Sequence, residues 1–161
     1  DFTGAVAAYT QLIKTAPEAS PALRADWRFG RGAAYERLGQ FAAARADLEA
    51  ALAVAPDNAT VLNYLGYMLV DRKLDVAQGK KLLAQAVALA PGNAAILDSM
   101  GWAHYRLGEY PAALQYLEKA ATLEPNDPVI TDHLADVYAK LGRQTEARTL
   151  WRRALRQNPT E

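Results

Sequence analysis

Cysteine is absent from this chain, which excludes disulfides, thiolate nucleophiles and cysteine-based zinc sites and leaves the redox compartment open. Histidine is scarce, with two residues. Net charge is also missing. Eighteen Lys and Arg balance 18 Asp and Glu in 161 residues, which removes the usual electrostatic reason for bulk nucleic-acid or anionic-membrane binding. The longest unbroken apolar run, Ala50 to Ala55, is far too short to span a bilayer. Isoleucine occurs three times against 34 alanines, a balance that favours helix over strand and predicts an all-α fold. The first residues, Asp1-Phe2-Thr3-Gly4, form neither an export leader nor a starting Met, so the chain is expected to be a piece of a longer protein.

What the sequence does contain is repetition. Pro17, Pro56, Pro91, Pro125 and Pro159 are separated by 39, 35, 34 and 34 residues, and Ala5, Ala44, Gly79, Ala113 and Ala147 keep the same intervals. Gly32, Gly66, Gly101 and Ala135 form a third column, spaced 34, 35 and 34. Each unit holds two amphipathic segments. In the third, Leu97, Met100, His104 and Leu107 make one apolar stripe at helical spacing, and Ala113, Leu114, Leu117, Ala120 and Ala121 make the next. Gly39, Gly108 and Gly142 fall just past the first segments, where a left-handed residue ends a helix at low cost, and Lys73 takes that place in the second unit. Pro56-Asp57-Asn58 and Pro125-Asn126-Asp127 stop one helix and offer a cap to the next. Small residues in two columns let paired helices approach closely, and no single pair can bury its apolar face without stacked neighbours.

The stretch Ala94 to Asp127 resembles the 34-residue tetratricopeptide repeat, with Leu97, Met100, Gly101, Gly108, Tyr110, Ala113, Leu117, Ala120 and Pro125 on the pattern. The unit at 128–161 matches through Ala135, Tyr138, Gly142, Ala147, Trp151, Ala154 and Pro159. The unit at 25–58 matches through Gly32, Tyr35, Gly39, Phe41, Ala44, Leu48, Ala51 and Pro56, with Arg31 where an apolar residue is usual. The unit at 59–93 carries one inserted residue in its internal turn. Phe2, Ala5, Tyr9, Leu12 and Pro17 fit the second helix of a truncated repeat at 1–17. Residues 18–24 then form a connection in which Ser20-Pro21 predicts an early helix start, near Pro21 and running to about Leu38. The resemblance implies a right-handed α-α superhelix of stacked antiparallel helix pairs, about nine helices in one array.

"LNYLGY" at 62–67, "LDSMGWAHYRLG" at 97–108 and "DHLADVYAKLGRQTEARTLWRRAL" at 132–155 are similar to the C-terminal repeats of long proteobacterial tetratricopeptide proteins, with departures at Met100 and Ala135. That similarity implies a periplasmic location or an outer-membrane tether, and a role as adaptor in an envelope complex. The alternative is a cytoplasmic protein.

Reactive constellations are few, and a non-catalytic protein without cofactor or metal is expected. His104 and His133 lie on different helices, outside any metal-ligand spacing, and read as groove or packing histidines. Gly79-Lys80-Lys81 lacks the upstream Gly of a phosphate loop, and no Gly-x-Ser-x-Gly elbow occurs. Arg148, Arg152, Arg153 and Arg156 form a basic stripe that suits a helix C-terminus better than nucleic acid.

Helical counting places Phe29, Ala33 and Glu36, then Asn63, Tyr67 and Val70, then Asp98, Trp102 and Tyr105, then Asp132, Asp136 and Ala139 on the outward side of the first helices. In a tetratricopeptide superhelix these helices line the concave face. Phe29, Asn63, Tyr67, Asp98, Trp102, Tyr105, Asp132 and Asp136 are therefore the candidate partner-binding residues, with rings for apolar contact and Asn or Asp for peptide N–H groups or basic side chains. Tyr67 and Trp102 could instead pack between neighbouring first helices. Asp98, Asp132 and Asp136 would repel a C-terminal carboxylate, so an apolar or basic extended segment is the expected ligand. The competing expectation is self-association through uncapped array ends, beginning with Phe2, Val6, Tyr9 and Ile13.

Overall fold

A computed structural model describes residues 1–157, and Pro159 of the proline column lies outside them. Nine helices and no strand occur among the described residues: α1 Phe2–Thr15, α2 Pro21–Arg37, α3 Phe41–Val54, α4 Ala59–Asp71, α5 Val76–Leu89, α6 Ala94–Arg106, α7 Tyr110–Leu123, α8 Pro128–Lys140 and α9 Gln144–Gln157. The closest helix pairs are α2 with α3, α4 with α5, α6 with α7 and α8 with α9. The pairs stack in chain order into a right-handed superhelix, in which the first helices α4, α6 and α8 also touch one another.

The ends of the helices follow from local chemistry. Side chains of Asn58, Asn93 and Asp127 accept backbone N–H bonds from Val61, Ile96 and Ile130, each satisfying an otherwise orphan donor of the first turn. Ser20 does the same for Leu23, and α2 begins at Pro21. Gly39, Gly108 and Gly142 adopt positive φ after the first helices, and Lys73 does so at φ 53° despite its side chain.

The small-residue columns meet at the helix crossings. A Cβ on Gly66 would lie 2.8 Å from Leu83 Cγ and 3.0 Å from the Gly79 carbonyl oxygen. Ala135 and Ala147 keep the same places in the last pair and are fully buried. Leu48, Leu83 and Leu117, one unit apart, fill the space beside Gly32, Gly66 and Gly101. Burial of each leucine contributes about 2 kcal/mol. The core is therefore a chain of clusters running along the array rather than one central mass.

Candidate functional site

The first helices α2, α4, α6 and α8 together line a pocket of about 420 Å³. Asn63 and Tyr67 enter it from α4, Asp98 from α6, Glu36 from α2, and Val129 and His133 from α8. Three of the eight expected residues, Asn63, Tyr67 and Asp98, are thus brought to one place. Asn63 is half-buried, and its Oδ1 finds no partner among the described residues. The Tyr67 hydroxyl is pushed up to about 12, first by burial and then by the negative charges of Asp71 and Asp98. It is a neutral phenol across the physiological range.

Asp98 departs from its expected role. It is 7% exposed, and its two carboxylate oxygens lie 2.9 and 3.1 Å from Nδ1 of His133 on the next first helix. It binds a neighbouring helix rather than projecting freely. Val70, expected on the outward side, is fully buried. The approach of α5 at Gly79 explains this: a Cβ on Gly79 would lie 2.7 Å from Val70 Cγ2, so Val70 packs at the crossing.

The aromatic platform is a stack rather than a row of open rings. Trp102 lies parallel to Tyr105 at 4.7 Å and to His133 at 4.2 Å between ring centres, and its indole N–H donates to Asp71 Oδ1 at 3.1 Å. Tyr105 in turn meets Tyr110 at 5.6 Å. Phe29 packs edge-on against Tyr64 at 5.5 Å and borders a separate pocket between the first two full units. Asp136 accepts a hydrogen bond from the Trp151 indole at 3.1 Å. Asp132 is exposed and lines a second pocket with His133, Val129 and Trp151.

Two residues outside the expected set join these spaces. His133 borders both pockets, and Val129, 50% exposed, borders both as well as a third beside Asp98 and Asp127. Helical spacing carried the signal, because Val129 precedes Asp132 and His133 by three and four positions and so shares their face. The other histidine, His104, stacks on Tyr116 and holds Glu109, which also accepts from Lys80 at 2.7 Å. Hydrogen bonds to Lys80 and His104 lower the Glu109 carboxyl below its ordinary range. Among the described residues no group of three acidic or histidine side chains is poised to hold a metal, and no helix is long and apolar enough to cross a membrane.

The arrangement places an exposed apolar side chain, carboxylates and a neutral phenol around two pockets that share Val129 and His133. The profile of the tetratricopeptide repeat matches residues 3–159. The chain belongs to the tetratricopeptide repeat family. Tetratricopeptide arrays serve in general as protein-interaction scaffolds and are typically non-catalytic. Among curated relatives, the TPR repeat-containing protein PA4667 of Pseudomonas aeruginosa is 39% identical over 101 residues, covering 63% of this chain and 17% of that protein. The lipoprotein NlpI homolog of Haemophilus influenzae is 47% identical over 55 residues, 34% of this chain and 18% of that protein. The chain thus spans less than a fifth of the length of these two relatives. Among solved structures, the type IV pilus biogenesis factor PilW superposes with a TM-score of 0.85 at 20% identity, over 100% of this chain and 72% of that one. The thermophilic protein TTC0263 of Thermus thermophilus superposes with a TM-score of 0.81 at 23% identity, over 99% of this chain and 84% of that one. At these identities the likeness shows the tetratricopeptide fold alone.

Proposed function

We propose that this array binds an extended, apolar or basic segment of a partner protein along its concave face, without catalysis, as an adaptor in a bacterial envelope complex. The observation that carries the reading is the continuity of the groove: Val129 and His133 join the pocket of Asn63, Tyr67 and Asp98 to the pocket of Asp132. An apolar side chain of the partner would seat on Val129 and the Tyr67 ring. A lipoprotein relative and the similarity to exported proteobacterial arrays support a periplasmic or outer-membrane-tethered setting over a cytoplasmic one.

The test is capture. A photo-crosslinking residue at Val129 should trap a partner segment in the parent cell, whereas the same residue at Glu49, exposed on α3, should not. Tyr67→Ala should reduce capture by tenfold or more while the helical melt moves little, since the ring is only half-buried. Equal loss of melt and capture would assign Tyr67 to packing and reject the groove.

A second reading, self-association with a second copy of this segment, draws on the exposed apolar side chains of Phe2 and Leu12 on α1 and Leu155 on α9. It requires concentration-dependent dimers in sedimentation, abolished by Phe2→Asp or Leu155→Asp.

A further inference from the structure

We infer that His133, Asp98 and Trp102 form a proton-binding joint between the first helices α6 and α8. The imidazolium ties the two helices together, and release of its proton to solvent loosens the joint. This goes beyond the peptide reading and stands without it.

Geometry carries the inference. His133 is a buried side chain with two different partners from α6. Its Nδ1 lies 2.9 and 3.1 Å from both carboxylate oxygens of Asp98, and its ring lies flat on the Trp102 indole at 4.2 Å with 16° between the planes. Both contacts favour the charged form. A carboxylate attracts an imidazolium more strongly than an imidazole, and an indole face attracts a cation. The indole itself is held by its N–H bond to Asp71 at the end of α4, so the joint reaches three successive first helices.

The carboxylates around the ring outweigh the cations. From α6 the facing carboxylate is Asp98, while Arg106 of the same helix lies over the Trp102 ring at 5.9 Å and opposes it; along α8 itself Asp132 and Asp136 lie one residue before and three after the histidine. From α9 the neighbour is Trp151, anchored on Asp136. Across the pocket stand Tyr67 and Asp71 of α4 with Arg72 beyond its end, and Glu36 and Arg37 of α2. Burial pushes the imidazole down. The hydrogen bond and charge of Asp98, helped by Asp132 and Asp136, outweigh it, and the group is raised above its ordinary value. A raised folded value means the contribution to stability is full below the unfolded value of about 6.5 and is lost as pH rises through the folded value. His133 borders both groove pockets, so the same proton changes the charge of the groove wall.

The experiment uses the full chain without ligand. Ring-carbon NMR signals of the two histidines are followed against pH and assigned with His104→Gln, and thermal melts of wild type and His133→Gln are compared over the same range. The expected results are a His133 midpoint above about 6.5, a midpoint lowered in Asp98→Asn, and a melting advantage over His133→Gln that shrinks as pH passes the wild-type midpoint. A His133 that titrates at or below its ordinary value overturns the joint, as does a melting gap that ignores pH. Should Asp98→Asn fail to fold, the wild-type titration and the His133→Gln melts decide alone.

Discussion

The first full helix pair and the three that follow close the same crossing by opposite chemistry. At the residue before each small-column glycine or alanine of the first helix stand Arg31, Leu65, Met100 and Leu134, and three after the small residue of the second stand Asp47, Leu82, Tyr116 and Leu150. In the later pairs these residues meet within apolar clusters. In the first pair Arg31 instead grips Asp47 through two bonds of 2.6 and 2.8 Å, Arg28 adds a third contact at 3.4 Å, and Asp47 is 4% exposed. Arg31 also donates to Thr10 of α1 at 3.1 Å, so the ion pair fastens the preceding helix. One crossing geometry thus accepts either an oil-like plug or a bidentate charge pair, provided both partners change together.

That comparison is sharpest where one partner is removed. Asp47→Ala leaves the Arg31 guanidinium in a mostly buried place without its carboxylate, and chemical denaturation should show a loss of about 3–5 kcal/mol. The double replacement Arg31→Leu with Asp47→Leu converts the first crossing to the chemistry of the second, and should return to within about 1 kcal/mol of wild type or exceed it. If the single and double variants lost the same amount, the two crossings would not be equivalent.

A smaller effect separates the same crossings by space. Gly66→Ala should lose about 1–2 kcal/mol, the strain of overpacking less the gain in helix propensity. Gly32→Ala should be close to neutral, because its Cβ would meet Leu48 Cγ at 3.1 Å and the Ala44 carbonyl oxygen at 3.3 Å, where neighbours need shift only slightly. Thermal melts of the two variants should therefore differ in the order of these distances.

The smallest effect lies in the turns. Lys73 is the non-glycine residue that holds the left-handed place occupied by Gly39, Gly108 and Gly142 in the other units. Lys73→Gly removes the Cβ strain at the expense of a looser unfolded chain, and should stabilise by about 0.5–1 kcal/mol. The same change should leave the proposed partner capture untouched, since Lys73 borders neither of the two pockets joined by Val129 and His133.

Legibility differed between backbone and side chains. The crossing columns Gly32, Gly66, Gly101 and Ala135 were readable because a close approach tolerates few residue types. The capping residues were readable for the same reason. The candidate site was readable only in part. Asn63 and Tyr67 enter the groove pocket, but Asp98 is taken by His133, and Trp102 and Tyr105 spend much of their surface on each other. Helical counting gives a face with a precision of about one residue, and Val70 shows that a neighbouring helix can cover the margin of that face. Arg31 stood out as a departure, yet its partner Asp47 lies 16 residues away on another helix and no spacing rule links them.

From residue order alone come the all-α class, the repeat period and the stops between helices, since each rests on propensity, periodicity and capping within a few residues of chain. Folding in three dimensions decided which carboxylates are buried against a neighbouring unit. Asp98 and Asp132 occupy equivalent positions one repeat apart, and the packing of α8 on α6 is what buries Asp98 against His133.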